Sequence, residues 1–154
     1  MTTIKVHAFD PGVTSGYATG IIENGHMGVV SGQAKWSEWP LYCELKRSKP
    51  DIIIYETFEY RNTRGRQQPD AINLFPRNLI GVLNLYVQET STALYTQTPA
   101  QAKGSPYNDQ RLKREHLYKI TDGGHANDAM RHLLYWFTFG SGYQFNTKGY
   151  KGLA

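Results

Sequence analysis

Three carboxylates stand at places from which they could act together: Asp10, Glu56 and Asp128. Asp10 closes an alternating apolar run (Ile4, Val6, Ala8) and is followed at once by Pro11-Gly12 turn chemistry. Glu56 closes a continuous apolar run, Ile52-Ile53-Ile54-Tyr55, of the kind found in central strands buried on both faces. Asp128 lies in Gly123-Gly124-His125-Ala126-Asn127-Asp128-Ala129, where a helix begins. If the first and fourth strands are neighbours, Asp10 and Glu56 sit side by side at one sheet edge. A last helix crossing that edge adds Asp128, and His125, three residues earlier, projects from the same side.

Carboxylates that converge in a cleft repel one another unless a cation is present. Oxygen-rich ligands with little nitrogen or sulfur favour Mg²⁺ or Mn²⁺. Two such ions can activate a water and stabilise the leaving oxygen of a phosphodiester. Each residue also has a plainer reading: strand-end or turn residue for Asp10 and Glu56, helix-start charge for Asp128, capping or packing for His125. Asp122, ahead of two glycines, reads as a turn residue.

The elements that must position these groups follow from periodicity. Strands are expected over 3–9, 16–22 and 27–34, the last two joined by an Asn24-Gly25 hairpin turn. A helix over 37–48 has Ser37 at its N-cap, and Cys43 within it reads as a small buried residue. A strand then spans 52–55, and a polar stretch, 57–69, reads as a loop. Apolar spacing predicts a helix from Asp70 to about Val87 that Pro76 should kink or restart. A strand at 93–97 and a helix opened by Thr98-Pro99 follow. Helices over about 109–119 and 127–138 complete the order βββαβαβα with a terminal helix. This is an α/β protein, with a mixed sheet flanked by helices. Residues 1–139 form one domain, and 140–154 read as a polar, disordered tail.

The 154 residues carry a formal net charge of +4, a mild excess for a nucleic-acid binder, so the distribution matters more than the total. Arg61, Arg64, Arg66 and Arg77 fall in or just beyond one polar segment; Lys103, Arg111, Lys113, Arg114 and Lys119 fall in another. Such blocks can neutralise phosphates or form solvated faces. Phe58 and Tyr60 beside the first block suit stacking on an unpaired base, or packing beneath the loop. The single cysteine excludes an internal disulfide, a redox pair and a Cys-rich zinc site. No apolar run approaches a membrane span of roughly 20 residues, and the polar N-terminus lacks a signal-peptide core. A cytoplasmic protein without a membrane partner is expected.

With these residues placed, the chain resembles the RuvC family of Holliday junction resolvases, particularly its compact phage-type relatives, within the RNase H-like superfamily. The resemblance rests on Phe9-Asp10-Pro11-Gly12 with Thr14-Ser15-Gly16-Tyr17-Ala18, and on Ile52-Ile53-Ile54-Tyr55-Glu56. It continues through Thr98-Pro99-Ala100-Gln101-Ala102-Lys103 and His125-Ala126-Asn127-Asp128-Ala129, in order over about residues 3–138. It implies an RNase H-like fold with a five-stranded mixed sheet and helices on both faces. It also implies a homodimer that nicks two strands of a four-way junction symmetrically, with two Mg²⁺ (or Mn²⁺) ions per active site. The setting would be a bacterial cell or a phage-infected host.

Carried over by position, the resemblance makes Asp10, Glu56 and Asp128 metal ligands. His125 stands where many members carry another aspartate, and an imidazole there could ligate or act on the attacking water. Lys103 matches a basic residue near the scissile phosphate. Phe58, Tyr60, Arg61, Arg64, Arg66, Arg111, Lys113 and Arg114 are candidate DNA contacts. The loop after Glu56 departs from the family pattern, as does the short segment between Lys103 and His125. The helix of about 70–88, apolar on more than one face (Leu74, Phe75, Leu79, Ile80, Val82, Leu83, Leu85, Tyr86), is the candidate dimer interface, though burial within one protomer explains it equally.

Three other activities fit parts of the pattern. A broad structure-selective nuclease for branched DNA would give scattered rather than paired nicks. A non-catalytic junction-binding protein would ignore metal. A sugar-kinase or actin-like ATPase would need two such domains. An RNase H-type hybrid nuclease is disfavoured by Asp10-Pro11-Gly12.

Overall fold

The computed structural model describes residues 2–58, 74–140 and, as backbone, 150–152. Its strands are β1 (Ile4–Asp10), β2 (Ser15–Glu23), β3 (His26–Ala34), β4 (Ile52–Glu56), β5 (Ala93–Gln97) and β6 (Tyr150–Gly152). The helices are α1 (Glu38–Ser48), α2 (Phe75–Glu89), α3 (Pro99–Lys103), α4 (Asp109–Arg114) and α5 (His125–Tyr135), which runs on into a π-helical turn, Trp136–Gly140. The sheet order is β5-β4-β1-β2-β3-β6. β1, β2 and β3 are antiparallel neighbours, whereas β4 is parallel to β1 and β5 to β4. The five expected strands are thus present in a mixed sheet. β6, three residues from the expected polar tail, adds to the edge of β3 in parallel.

Side-chain alternation along the strands divides the interior into two layers. Val6 and Ala8 of β1, Ala18 and Ile22 of β2, Met27 and Val29 of β3, and Ile52 and Ile54 of β4 pack with α5 (Ala129, Met130, Leu133, Leu134). Phe9, Ile53 and Tyr55 point the other way and pack with α1 (Leu41, Leu45) and α2 (Leu79, Leu83, Tyr86). Helices therefore cover both faces. β4 contributes to both layers, which is why its sequence is apolar without alternation.

The α5 layer is unusually close-packed on β2. A Cβ on Gly16 would stand 1.9 Å from the carbonyl oxygen of His125, and one on Gly20 would stand 2.5 Å from Met27 Sδ. With Ala18 between them, these small residues let the helix lie against the strand backbone.

Several local expectations are corrected. Of the two outcomes expected at Pro76, a helix start is seen and not a kink: α2 begins at Phe75 and the proline occupies its first turn, where no N–H is required. The part of that expected helix over 70–73 lies outside the described residues. Cys43 is exposed rather than buried. Its neighbours Leu41 and Leu45 are the buried pair of α1, and a residue midway between positions i and i+4 faces away from them. α4 ends at Arg114, short of 119, and His116 takes a positive φ of 59° just beyond it. The last helix starts at His125, two residues early. Asn24 and Gly25 both have positive φ, as the predicted two-residue hairpin turn needs.

Candidate active site

Asp10 and Glu56 are the last residues of adjacent parallel strands. The register pairs Phe9 with Tyr55, so the next residues leave the sheet side by side. Both follow the parity of Ala8 and Ile54 and therefore face α5. The sequence expectation that these two carboxylates share one sheet edge holds.

α5 brings its N-terminal turn over the same edge. Gly123 and Gly124 have φ of 76° and 70°, a left-handed pair that reverses the chain immediately before His125. Gln33 on β3 secures the start of the helix: its Oε1 accepts from Ala126 N (3.2 Å) and its Nε2 donates to Asp122 O (3.1 Å). Asp122 is thus a turn residue, as expected. Asn127 is buried and clamps the preceding segment through both amide atoms, accepting from Lys119 N and donating to Lys119 O, each at 2.8 Å. His125, Asp128 and His132, at i, i+3 and i+7, then share the face of α5 that meets the strand ends.

Each carboxylate meets a different partner. His125 Nδ1 donates to Asp10 Oδ2 at 2.9 Å. Arg131 Nη1 donates to Asp128 Oδ1 at 2.5 Å, while its Nε donates to Tyr107 O and its Nη2 to Asp109. Glu56 Oε2 lies 2.7 Å from His132 Nε2, and His132 Nδ1 donates to Gln97 Oε1 at 2.7 Å. Arg131, His132 and Gln97 were not anticipated from sequence. A usable signal existed in the i+4 spacing of His132 from Asp128, which puts both on one helix face.

Electrostatics single out Asp10. Burial pushes its carboxyl up from 3.8 to about 6. The His125 hydrogen bond opposes this, and the nearby charges of Glu56 and Asp128 reinforce it. A buried carboxylate in a negative field, among oxygen donors and one imidazole, suits a hard divalent cation. Among the described residues, however, no three His, Cys, Asp or Glu side chains gather at ligand spacing.

Lys103 is carried to the same region by α3. Thr98 and Gln101 form a reciprocal capping box, with Thr98 Oγ1 accepting from Gln101 N and Gln101 Oε1 from Thr98 N (3.3 and 2.7 Å). That box fixes the five-residue helix, whose last residue, Lys103, lines an open cleft of ≈ 570 Å³ with Asn108, Asp109, Gln110, Asp128 and Arg131.

Among the candidate DNA contacts, Tyr60, Arg61, Arg64 and Arg66 lie outside the described residues. Phe58 is half-buried, with the Arg77 guanidinium 5.9 Å from its ring centroid. Arg111 is engaged by Glu115 (2.9 Å) and by the Tyr107 ring, and Lys113 lies over the Tyr118 ring at 4.6 Å. The Arg114 side chain is 74% exposed. On α2, Leu79, Leu83 and Tyr86 are consumed by the core, whereas Leu85, and Leu74 just before the helix, are exposed.

Three solved structures share this arrangement of elements. Thermus thermophilus RuvC superposes with a TM-score of 0.60 at 16% identity, covering 89% of this chain and 97% of that one. The chain has a RuvC-like fold. T. thermophilus RuvC in complex with a Holliday junction substrate gives a TM-score of 0.59 at 16% identity, over 90% of this chain and 97% of that one. The yeast mitochondrial Holliday junction resolvase Ydc2 gives 0.52 at 13% identity, over 88% and 78%. No family model and no curated protein matches the sequence. Among the described residues no helix is long and apolar enough to cross a membrane.

Proposed function

We propose that this protein is a divalent-metal-dependent endonuclease that resolves four-way DNA junctions by paired nicks. The observation that carries the reading is the joint placement of Asp10 and Glu56 on adjacent strand ends beneath the helix turn that bears His125 and Asp128. The RuvC-like fold, shared with a protein solved in complex with a Holliday junction substrate, supports the choice of branched DNA.

In this reading Asp10, Glu56, Asp128 and His125 hold two Mg²⁺ or Mn²⁺ ions. Bound there, the ions would supply an activated water and charge stabilisation at the leaving oxygen. The protein's own groups do the rest. His125 orients the Asp10 carboxylate through Nδ1, which leaves Nε2 as the ring atom that would meet an ion. Lys103, in the cleft it shares with Asp128, offers a fixed positive charge to a phosphate. Phe58 and the basic segment after it, together with Arg111, Lys113 and Arg114, supply the DNA surface. A homodimer formed through the exposed side of α2 would present two sites to the two strands of a junction.

The test is cleavage of an end-labelled four-way junction with Mg²⁺ or Mn²⁺. Wild type should give paired, symmetric nicks. Asp10→Asn, Glu56→Gln and Asp128→Asn should bind the junction without cutting it, while Asp122→Asn stays near wild type. Normal cutting by Asp10→Asn would refute the metal site. Scattered nicks on any branched DNA would replace junction resolution with broad structure selectivity.

A further inference from the structure

Gln97 and His132 are buried, polar and have no part in the reading above. Glu56 and Gln97 are register partners on β4 and β5, both facing α5. His132, one turn beyond Asp128, bridges them. Three hydrogen-bond contacts define the bridge. Gln97 Nε2 donates to the main-chain oxygen of His132 at 3.1 Å, which turns its Oε1 toward the ring, where it accepts from Nδ1 at 2.7 Å. The ring plane is thereby set, and Nε2 is aimed at Glu56 Oε2, 2.7 Å away.

A core that needed only volume would use an apolar pair here, because buried polar groups are costly unless fully hydrogen-bonded. With Nδ1 donating to Gln97, Nε2 donates to Glu56 only when the ring carries both protons, so the bridge is an imidazolium–carboxylate pair with each polar atom matched, and it ends on one oxygen of one carboxylate. Glu56 has a long side chain at a strand end, and His132 is the partner that holds its Oε2. Fixing Oε2 fixes the plane of the carboxylate and the direction of Oε1.

We propose that His132, held by Gln97, is a positioning residue that orients the Glu56 carboxylate to receive a divalent cation. The proposal rests on the nuclease reading for the identity of that cation. It adds a buried link, Gln97–His132–Glu56, that ties metal affinity to the hydrogen bonds between α5 and the end of β5.

The experiment compares wild type, His132→Phe, His132→Gln and Gln97→Met, with Glu56→Gln as the reference for a lost ligand. Five quantities are measured: Mn²⁺ binding by calorimetry without DNA, metal-free binding of a four-way junction, kcat and KM for its cleavage, and urea denaturation. Phe fills the space of the ring without a donor; Gln restores a donor near the position of Nε2. His132→Phe should weaken Mn²⁺ binding and lower kcat by about 10–100-fold, the usual effect of removing a group that orients a metal ligand. KM and metal-free junction binding should not change. His132→Gln should recover a large part of both losses, and Gln97→Met should fall between wild type and His132→Phe.

A folded His132→Phe with wild-type Mn²⁺ affinity and kcat overturns the proposal, as does a His132→Gln no better than His132→Phe. If His132→Phe does not fold, Gln97→Met decides by the same criterion, since it keeps the imidazole and the core volume. A wild type that neither cleaves junctions nor binds Mn²⁺ better than Glu56→Gln overturns the nuclease reading and this proposal together. A wild type that does both, beside an unaffected His132→Phe, overturns the proposal alone.

Discussion

Gly16 lies opposite Asp10 across the β1–β2 ladder, and a Cβ on it would stand 1.9 Å from the carbonyl oxygen of His125. The hydrogen atom at this one position lets the α5 N-terminus settle onto the sheet edge that carries Asp10. His125 can then reach a residue 115 positions earlier in the chain.

Gly16→Ala should therefore damage both fold and site. The clash is with backbone, which cannot swing aside as a side-chain tip can, so α5 must lift. A loss of about 1–3 kcal/mol or more is expected from overpacking. Urea denaturation should show the lower midpoint, and junction cleavage should fall further than stability alone explains, because His125 moves off Asp10. Unchanged denaturation would mean that α5 is not seated this closely.

Asp10→Asn should stabilise the metal-free protein at neutral pH. In the folded state burial raises the Asp10 carboxyl from 3.8 to about 6, so the native state binds the proton more tightly than the unfolded chain between those values. Stability therefore falls as pH rises through that window, with the full penalty present above about pH 6 and none below 3.8. A difference of this size corresponds to about 1–3 kcal/mol. With a chelator present, thermal melts of Asp10→Asn and wild type should differ at pH 7.5 in favour of the mutant and converge near pH 4. Added Mn²⁺ should raise the melting temperature of wild type but not of the mutant.

His7 should act with the opposite sign. It faces the α1–α2 layer, and burial, with Lys5 adding to it, lowers its imidazole from 6.5 to about 4. The unfolded chain binds the proton first, so this contribution to stability is complete above pH 6.5 and is lost as pH falls toward 4. A His7→Phe variant should lose less stability than wild type when the pH drops from 7 to 4, by up to about 3 kcal/mol. Parallel pH–stability curves for the two proteins would contradict the assignment.

Arg131 should matter far more than its two acidic partners suggest when counted equally. Its side chain is 13% exposed, whereas that of Asp109 is 54% exposed. Exposed ion pairs contribute about 0–1 kcal/mol, so Asp109→Asn should be nearly silent. Arg131→Met removes the bonds to Asp128 and to the Tyr107 carbonyl as well, and charged hydrogen bonds of this kind are worth about 1.5–3 kcal/mol each. Denaturation midpoints of the two variants provide the comparison.

Leu85, exposed on α2 as Leu74 is just before it, tests the proposed dimer. Leu85→Glu should leave the monomer fold intact, since Leu79, Leu83 and Tyr86 already fill the core side of the helix. It should shift light-scattering mass from dimer to monomer and turn paired nicks into single ones. A wild type that is monomeric at working concentration removes this part of the proposal.

Much of this protein was legible in its sequence, and the reasons are local. Alternation in Ile4–Ala8, the Asn24-Gly25 turn, the unbroken Ile52–Tyr55 run and the Thr98-Pro99 helix start each report a backbone state through steric or hydrogen-bonding preferences a few residues long. Strand parity follows from the same source, so Asp10 with Ala8, and Glu56 with Ile54, could be assigned to one face in advance. Tertiary structure alone decided which group each carboxylate meets. Asp10 takes His125, Asp128 takes Arg131, and Glu56 takes His132, which Gln97 holds in place. Those partnerships depend on how closely α5 approaches β2 and where it meets β4 and Gln97 at the end of β5. That distance is set by hydrogen atoms at Gly16 and Gly20, by packing against Met27 and Leu133, and by a two-glycine reversal before His125. No short window of sequence holds such long-range contacts, because they join positions up to 115 residues apart through shape rather than pattern.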